Sequence, residues 1–140
     1  ANNVVMGGHV EIGDNAVVGG AAAIHQFVRI GRAAMIGGVS GVEGDVIPFG
    51  SVIGNRARLA GLNVIGLRRR GYDKAQIRSL RTAFLHLFHG PGVFAERLAR
   101  LRQSEPDNAL VAEMLDFIAS TGRRGLIRSA IHADDDDDEA

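Results

Sequence analysis

Two histidines near the start of the chain could carry out acid–base or ligand chemistry. His9 follows a Gly-Gly pair, and His25 is followed by Gln26. A neutral imidazole can accept a proton near neutral pH, bind a metal or hydrogen-bond a polar ligand. The two histidines are sixteen residues apart, so an element that repeats at about this interval would place them on nearby faces. We therefore expect a polar site at His9, His25 and Gln26, with a pair of unrelated surface histidines as the alternative.

Zinc binding is a competing use of these imidazoles. A catalytic zinc needs three protein ligands, and the other histidines, His86, His89 and His132, lie far along the chain in a different segment. The 140 residues contain no cysteine, which excludes thiolate ligands, a cysteine nucleophile and a disulfide framework. The histidines therefore favour acid–base or hydrogen-bonding chemistry over a metal site.

Arginine dominates the basic residues. Fifteen of the sixteen basic residues are Arg, whereas six of the sixteen acidic residues lie in the tail segment Asp134–Glu139. Residues 1–133 thus carry sixteen basic and ten acidic residues, a net charge of +6. Because guanidinium groups match the geometry of carboxylates and phosphates, this body is expected to attract an anionic partner. The acidic tail is expected to be disordered and solubilising.

A repeat of six residues must position the histidines. Large aliphatic residues recur at Met6, Ile12, Val18, Ile24, Ile30, Ile36 and Val42. The next residue is Gly in five of the seven units, and a small or β-branched residue stands two positions before each aliphatic one. This period fits neither an amphipathic helix nor an alternating strand. It is typical of the hexapeptide left-handed parallel β-helix, with three units and eighteen residues per coil, in which the glycines would serve the tight bends.

The seven units make little more than two coils, and a solenoid needs about three repeats to bury its core. The chain also begins with Ala1 rather than Met. We therefore expect this sequence to be the C-terminal piece of a longer β-helix protein.

A helical region is predicted after Gly71. Asp73 and Gln76 form a capping-box pattern, and Gly90-Pro91-Gly92 is expected to end the first helix. The apolar residues with helical spacing fall into three groups: Ile77, Leu80, Phe84, Leu87 and Phe88; Phe94, Leu98 and Leu101; Val111, Met114, Leu115 and Ile118. The predicted domains are a β-helix with a looped last coil at 1–71, a small α-helical C-terminal domain at 72–129 and the acidic tail at 130–140.

Several segments together point to one family. They are Ala-Ile-His-Gln-Phe at 23–27, Met-Ile-Gly-Gly-Val-Ser-Gly-Val at 35–42, Gly-Asn at 54–55, Gly-Leu-Asn-Val-Ile-Gly-Leu-Arg-Arg-Arg-Gly at 61–71 and the closing 120–128. His-Gln-Phe combined with Asn-x-x-Gly-Leu-x-Arg-Arg-Gly is specific. From Ala1 to about Ser129 the chain resembles the UDP-N-acetylglucosamine O-acyltransferase family of lipid A synthesis.

The resemblance implies transfer of a 3-hydroxyacyl group from acyl carrier protein to the 3-hydroxyl of UDP-N-acetylglucosamine. The acyl group would arrive on the phosphopantetheine of the carrier, with no further cofactor. It also implies a cytoplasmic homotrimer whose sites lie between subunits, without nucleic acid and without a membrane span. Two alternatives stay open: a related hexapeptide-repeat acyltransferase that acts on another amino sugar nucleotide, and a non-catalytic trimeric β-helix that binds an anionic partner.

The resemblance also assigns roles at the catalytic centre. The backbone amide of Gly8 would donate to the oxyanion, and His9, His25 and Gln26 would line the sugar and acyl pocket. Gly38 would lie where the family measures acyl length, and as Gly it would leave room for a longer chain. The general base of the family is a His in an Ala-His-Asp segment, which is absent from these residues, so this chain alone is expected to be inactive or nearly so.

Further roles follow for the basic residues. By resemblance, Asn63, Arg69 and Arg70 would hold the uridine diphosphate, and Arg81 would help to bind the acidic carrier protein. Two positions depart from the family pattern. Ile65 stands where relatives place a Glu beside the nucleotide, and Arg56 stands where a His often lies near the acyl tail, which leaves the acyl chain length open.

Overall fold

The computed structural model describes residues 1–120 and 122–129, so the predicted acidic tail lies outside the described residues. The strands are β1 (Val5–Met6), β2 (Glu11–Ile12), β3 (Val17–Val18), β4 (Ala23–Ile24), β5 (Arg29–Ile30), β6 (Met35–Ile36), β7 (Gly41–Val42), β8 (Gly50–Ile53) and β9 (Arg58–Leu62). The helices are α1 (Val64–Arg69), α2 (Lys74–His89), α3 (Phe94–Gln103) and α4 (Ala109–Ala119).

The short strands form a parallel β-helix with three sheets. The first sheet contains β1, β4 and β7, the second β2 and β5, and the third β3, β6, β8 and β9. Within β1 to β7, paired residues are eighteen apart, as in Met6 with Ile24 and Ile24 with Val42. The predicted eighteen-residue coil of three units is confirmed. The aliphatic residues therefore stack in three ladders, and Ile24, Ile30, Ile36 and Val42 are buried.

The glycines of the repeat have a different role from the predicted one. The positive φ angles at the bends belong to residues such as His9 (59°), Phe27 (68°) and Ala33 (56°), whereas Gly7, Gly13 and Gly19 do not have positive φ. Instead, a Cβ on Gly7 would lie 2.7 Å from the backbone nitrogen of Gln26 in the next coil. The prediction that these glycines serve the bends is wrong: they allow adjacent coils to approach closely.

The chain leaves the regular pattern after β7. β8 continues the third sheet in parallel with β6, but β9 returns antiparallel to β8. The short helix α1 follows immediately, where no helix was predicted. Asn63 caps it, since its Oδ1 accepts from the Gly66 backbone N–H at 3.1 Å.

Helices α2, α3 and α4 form the predicted helical region. Asp73 and Gln76 make the capping box at the start of α2, which ends at His89 just before Gly90. The Asn108 side chain caps α4. The apolar faces of α2 and α4 are buried through Leu80, Phe84, Leu87, Phe88, Val111, Met114 and Leu115.

The last described segment, residues 122–129, returns to the β-helix. The Asp45 N–H donates to the Gly125 carbonyl at 2.7 Å, and the Ile127 N–H donates to the Asp45 carbonyl at 2.9 Å. The Leu59 N–H donates to the Arg128 carbonyl at 3.0 Å. We call this segment the return segment, and it adds a further parallel rung beside Asp45.

Candidate functional site

The three corners of the β-helix organise the candidate site. The first corner joins the first and second sheets at Gly8-His9 and Gln26-Phe27. The second corner joins the second and third sheets at Asp14-Asn15, Arg32-Ala33 and Pro48-Phe49. The third corner joins the third and first sheets at Asn2-Asn3, Gly20-Ala21 and Gly38-Val39.

The first corner brings together Gly8, His9, His25 and Gln26. All four residues are exposed, so their polar groups face outward from the coil. The His9 imidazole stacks on the Phe27 ring, with centroids 5.0 Å apart and planes inclined by 6°. The sixteen-residue spacing of the histidines therefore places both at the same corner, one coil apart.

Gly8 presents a main-chain donor at this corner. Within residues 1–120 and 122–129, no group accepts a hydrogen bond from its N–H. The same holds for Gly20, Gln26 and Arg32 at matching corner positions, so an unpaired amide is a property of the turn. A Cβ at Gly8 would have no atom within 4 Å, so the space beside its Cα is unoccupied.

The second corner carries the basic residues predicted for the nucleotide. The Asn63 N–H donates to the Phe49 carbonyl at 2.6 Å, and the Asn63 Nδ2 donates to the Ala33 carbonyl at 3.0 Å. These bonds fix the start of α1 on the second corner. Arg69, in the last turn of α1, and Arg70, immediately after it, are exposed. Ile65 is also exposed on α1.

Gly38 is separate from both groups, because it lies at the third corner. A Cβ there would meet the Gly20 carbonyl at 3.4 Å, an ordinary contact, with no positive φ to restrict the residue. The predicted site residues thus occupy three corners of one chain, and a single chain does not gather them around one ligand.

A basic cavity lies beside the second corner. Its volume is about 230 Å³, and its cationic lining consists of Arg68, Lys74, Arg78 and Arg81. Arg81 therefore belongs to a cluster of four cations from α1 and α2. A groove of about 650 Å³ between α2, α3 and α4 contains none of the predicted site residues.

Several other arginines are structural. Arg29 Nε contacts Asp45 Oδ2 at 2.9 Å, and its Nη2 donates to the Phe117 and Ser120 carbonyls at the end of α4. Arg97 is buried and donates to the Leu87 and Gly92 carbonyls near the end of α2. At Phe117 and Leu87 these side chains satisfy carbonyls that the last turns of α4 and α2 leave unpaired.

Arg32 fixes the second corner to the helices. Its Nε lies 3.0 Å from Glu113 Oε2, and its Nη2 donates to the Tyr72 hydroxyl at 3.2 Å. The hydrogen bond to Glu113 raises the pKa of Arg32 above its ordinary value, against the opposing effect of burial. The guanidinium is therefore a permanent charge that holds α4 against the β-helix.

The return segment adds two arginines to the first corner that sequence reasoning had not assigned to the site. The Arg123 guanidinium lies 4.2 Å from the Phe27 ring centroid, and Arg124 Nε donates to the Gln26 carbonyl at 2.7 Å. In the sequence, residues 120–128 contributed to the family resemblance, which gave neither arginine a role. No local pattern indicates a contact across 98 residues.

Arg56 lies in a separate cavity of about 270 Å³ that also contains Arg58, Arg124 and Glu43. Among residues 1–120 and 122–129, no group of three or more His, Asp or Glu side chains could hold a metal ion. None of the helices in this part of the chain combines the length and apolarity that crossing a bilayer requires.

Comparison with known proteins gives a consistent result. Residues 45–127 match a family described as UDP N-acetylglucosamine O-acyltransferase, domain 2. A protein of Sinorhizobium fredii named acyl-(acyl-carrier-protein)--UDP-N-acetylglucosamine O-acyltransferase is 42% identical over 90% of this chain and 47% of its own length. A protein of the same name from Rhizobium johnstonii is 45% identical over 90% of this chain and 46% of its own. The chain spans about half the length of these curated relatives.

Solved structures give the same answer. The UDP-N-acetylglucosamine acyltransferase from Campylobacter jejuni matches with a TM-score of 0.83 and 41% identity, over 91% of this chain and 49% of its own. The Arabidopsis UDP-N-acetylglucosamine acyltransferase matches with a TM-score of 0.86 and 39% identity, over 91% of this chain and 48% of its own. The similarity therefore includes both the coils and the helices.

Proposed function

The chain belongs to the UDP-N-acetylglucosamine O-acyltransferase family, and on that premise we propose that it takes part in acyl transfer from acyl carrier protein to UDP-N-acetylglucosamine. The acceptor would be the 3-hydroxyl of the glucosamine ring and the acyl group a 3-hydroxyacyl chain, in the first step of lipid A synthesis. The first corner is the observation that carries this proposal, because it combines an open main-chain donor with His9, His25 and Gln26.

The reaction needs a hydrogen-bond donor that stabilises the developing oxyanion, and it needs a base. As the sugar hydroxyl attacks the thioester carbon, a C–O bond forms, the carbonyl oxygen becomes an oxyanion, and the C–S bond then breaks to release the carrier thiol. The Gly8 N–H can donate to that oxyanion without reorganising. The proton of the hydroxyl must pass to a base, and the family's Ala-His-Asp segment is not among the 140 residues. His9, His25 and Gln26 would orient the sugar and the acyl chain.

The second corner would bind the diphosphate. Arg69 and Arg70 are exposed, adjacent and held by a capped helix, so their guanidinium groups can make paired hydrogen bonds to phosphate oxygens. Asn63 already caps α1 and donates to Ala33. Its main role would be to position the arginines, while the second N–H of its amide can donate to the nucleotide.

The basic cavity would receive the carrier protein. Arg81 lies there with Arg68, Lys74 and Arg78, without an acidic lining residue. Four cations in one concave surface would attract an acidic partner and guide its approach. This supports Arg81 as one of several carrier-binding residues.

A parallel homotrimer would unite the separated corners. Outward-facing residues of β1, β3, β4, β6, β7 and β8 are apolar or small, and the exposed large apolar residues on the first and third sheets and at the third corner are Val5 (62%), Met6 (49%), Val17 (49%), Val39 (75%) and Ile53 (60%). With the third corners near a threefold axis, the first sheet of one subunit faces the third sheet of the next. The first corner of one subunit then lies beside the second corner of its neighbour, and an acyl chain could extend between the sheets toward Gly38.

Other features are part of the same proposal. The coil would be left-handed, with a β-helix domain at 1–71, a small helical domain at 72–129 and an acidic tail at 130–140. The enzyme would act in the cytoplasm, with the phosphopantetheine of the carrier as the only carrier group and no metal.

An acyl-transfer assay with Arg69→Ala tests the proposal. The assay uses the protein at its natural length, acyl carrier protein loaded with a 3-hydroxyacyl chain, and UDP-N-acetylglucosamine. Losing one charge-assisted hydrogen-bond donor should lower kcat/KM by about tenfold or more. Arg100→Ala, an exposed arginine on α3, is the matched control and should retain activity. Preference for another sugar nucleotide, an N-linked product, or equal activity of the two variants would contradict the assignment.

A further inference from the structure

Main-chain hydrogen bonds run along each corner of the β-helix. At each bend, the N–H of the second turn residue donates to the carbonyl of the first turn residue in the preceding coil. The pairs are Ala21 to Asn2, Phe27 to Gly8, Ala33 to Asp14, Val39 to Gly20 and Phe49 to Arg32. Each series ends at a carbonyl that no further coil pairs, so its partner is either water or a side chain.

At the first corner, a side chain donates to the last carbonyl of the series. By the same spacing, the Gln26 carbonyl would receive the N–H of Asp45, but that N–H donates to Gly125 at 2.7 Å. Arg124 Nε takes its place and donates to the Gln26 carbonyl at 2.7 Å. A charged side chain from the return segment thus replaces the missing coil at this corner.

The Gln26–Phe27 peptide connects Arg124 to Gly8. Its carbonyl accepts from Arg124, and its N–H donates to the Gly8 carbonyl at 3.0 Å. A cationic donor polarises the peptide and strengthens the next hydrogen bond in the series. The Gly8 carbonyl and the His9 N–H belong to the same peptide. Arg124 is therefore connected to Gly8 and His9 through two successive peptides, Gln26–Phe27 and Gly8–His9.

A column of stacked side chains lies beside this series. His9 stacks on Phe27, and the Arg123 guanidinium lies 4.2 Å from the centre of the Phe27 ring. The positive φ of 68° at Phe27 fixes the direction in which its side chain leaves the backbone. Arg123 adds a cation–π contact to this column.

The return segment is itself held in place. Its backbone pairs with Asp45 on both sides and with Leu59, and Asp45 and Ile127 are buried. The two arginines therefore project from a fixed rung rather than from a loose end.

We infer that Arg123 and Arg124 are positioning residues for the first corner, where Arg124 fixes the Gln26–Phe27 peptide and Gly8, and Arg123 fixes the Phe27–His9 stack. Neither residue acts as a base or as an oxyanion donor. The part of this inference that concerns catalysis rests on the proposed acyl transfer, whereas the part that concerns the corner does not.

Amide hydrogen exchange followed by NMR tests the corner without any substrate. In Arg124→Leu, exchange at the Phe27 N–H should become about fivefold faster, and Arg124→Lys should restore most of the protection. The N–H groups of Ala33 and Val39 make the same bond at the other corners and are internal controls. In Arg123→Leu, the His9 ring protons should shift because the stack loosens. Unchanged exchange at Phe27, or equal acceleration at all three corners, would overturn the inference.

Kinetics then test the consequence for the reaction. Arg124→Leu should lower kcat/KM for acyl transfer by about fivefold with the melting temperature unchanged, Arg124→Lys should recover most activity, and Arg100→Leu is the charge-matched control. Transfer that is insensitive to Arg124→Leu would overturn the positioning role in catalysis. If no variant and no wild-type protein transfers acyl groups while Phe27 exchange still responds, the proposed function fails and the positioning of the corner stands.

Discussion

The regular coils and the helical region are stabilised in different ways. In the coils, many similar contacts repeat every eighteen residues, and the polar groups that hold the structure together are main-chain amides. Where the helices are anchored, a few arginines satisfy carbonyls at helix ends: Arg97 of α3 does so at the end of α2, and Arg29 of strand β5 does so at the end of α4. The side chains of the first corner therefore stay available for ligands, whereas Arg29 and Arg32 of the coils and Arg97 of α3 are used to hold the helices in place.

This difference changes the meaning of the positive charge. From composition alone, the arginine-rich body as a whole was expected to attract an anionic partner. The structure divides the arginines into two groups. Arg29, Arg32 and Arg97 have internal partners, whereas Arg69, Arg70 and the cationic residues of the basic cavity are exposed. Substitutions of the internally paired arginines should therefore lower mainly stability, and substitutions of the exposed ones should lower mainly activity.

The largest loss of stability is expected where the backbones of two coils are in close contact. In Gly31→Val, the new side chain would overlap the backbone and ring of Pro48 in the next coil. Overpacking against main chain should cost about 4 kcal/mol of unfolding free energy, measured by urea denaturation. Gly20→Val is the matched control, since its Cβ would meet only the Asn2 carbonyl at 3.6 Å. Similar losses at the two positions would show that coil contact is not the reason for the glycine.

The second-largest loss of stability is expected where the coils contact the helical region. Arg29→Met leaves the Asp45 carboxylate, only 2% exposed, without its cationic partner and should cost about 3 kcal/mol. In Arg32→Met the loss should be about 1 kcal/mol, because Glu113 is 37% exposed and water can solvate it. Thermal denaturation of both variants measures the difference, and a larger loss in Arg32→Met would contradict this account of the contact.

Within the helical region, Arg97→Met should have an intermediate effect. It removes the donor for the Leu87 and Gly92 carbonyls and should cost about 2 kcal/mol. Arg100→Met on the same helix changes the same charge at an exposed position and should cost less than about 0.5 kcal/mol. Chemical denaturation compares the two, and equal costs would mean that Arg97 does not act as a helix-end donor.

A small and local loss of stability is expected at the start of α2. Asp73→Ala removes the side-chain acceptor for the Gln76 N–H at 2.8 Å and should cost about 1 kcal/mol. Hydrogen exchange in the first turn of α2 should rise more than exchange near its end. Lys74→Ala is the control, and a change spread evenly over the whole helix would argue against a local cap.

Short-range patterns predicted much of this fold. The six-residue period determined the coils, and the Asp73 capping box and the apolar spacing located α2, α3 and α4. Sequence patterns did not predict the antiparallel strand β9, the helix α1 or the return segment, because these elements depend on contacts between residues far apart in sequence. The role of the repeat glycines was misassigned because sequence does not distinguish a positive φ from a close backbone approach.

The candidate site shows a similar division. The spacing of His9 and His25 predicted a shared position, and the structure places both at the first corner. Gly38 lies thirty residues after Gly8, which is not a multiple of eighteen, so the repeat itself indicates a different corner. Arg123 and Arg124 reach the first corner from the other end of the chain, and no local pattern contains that information.

The most direct test of the account is identification of the acylated product by mass spectrometry and NMR. The protein at its natural length is incubated with 3-hydroxyacyl carrier protein and UDP-N-acetylglucosamine. We expect one product, with the acyl group ester-linked to the 3-oxygen of the glucosamine ring, and much less of it from Arg69→Ala than from Arg100→Ala. An amide-linked product, acylation of a different sugar nucleotide, or no acyl transfer by the wild-type protein would contradict it.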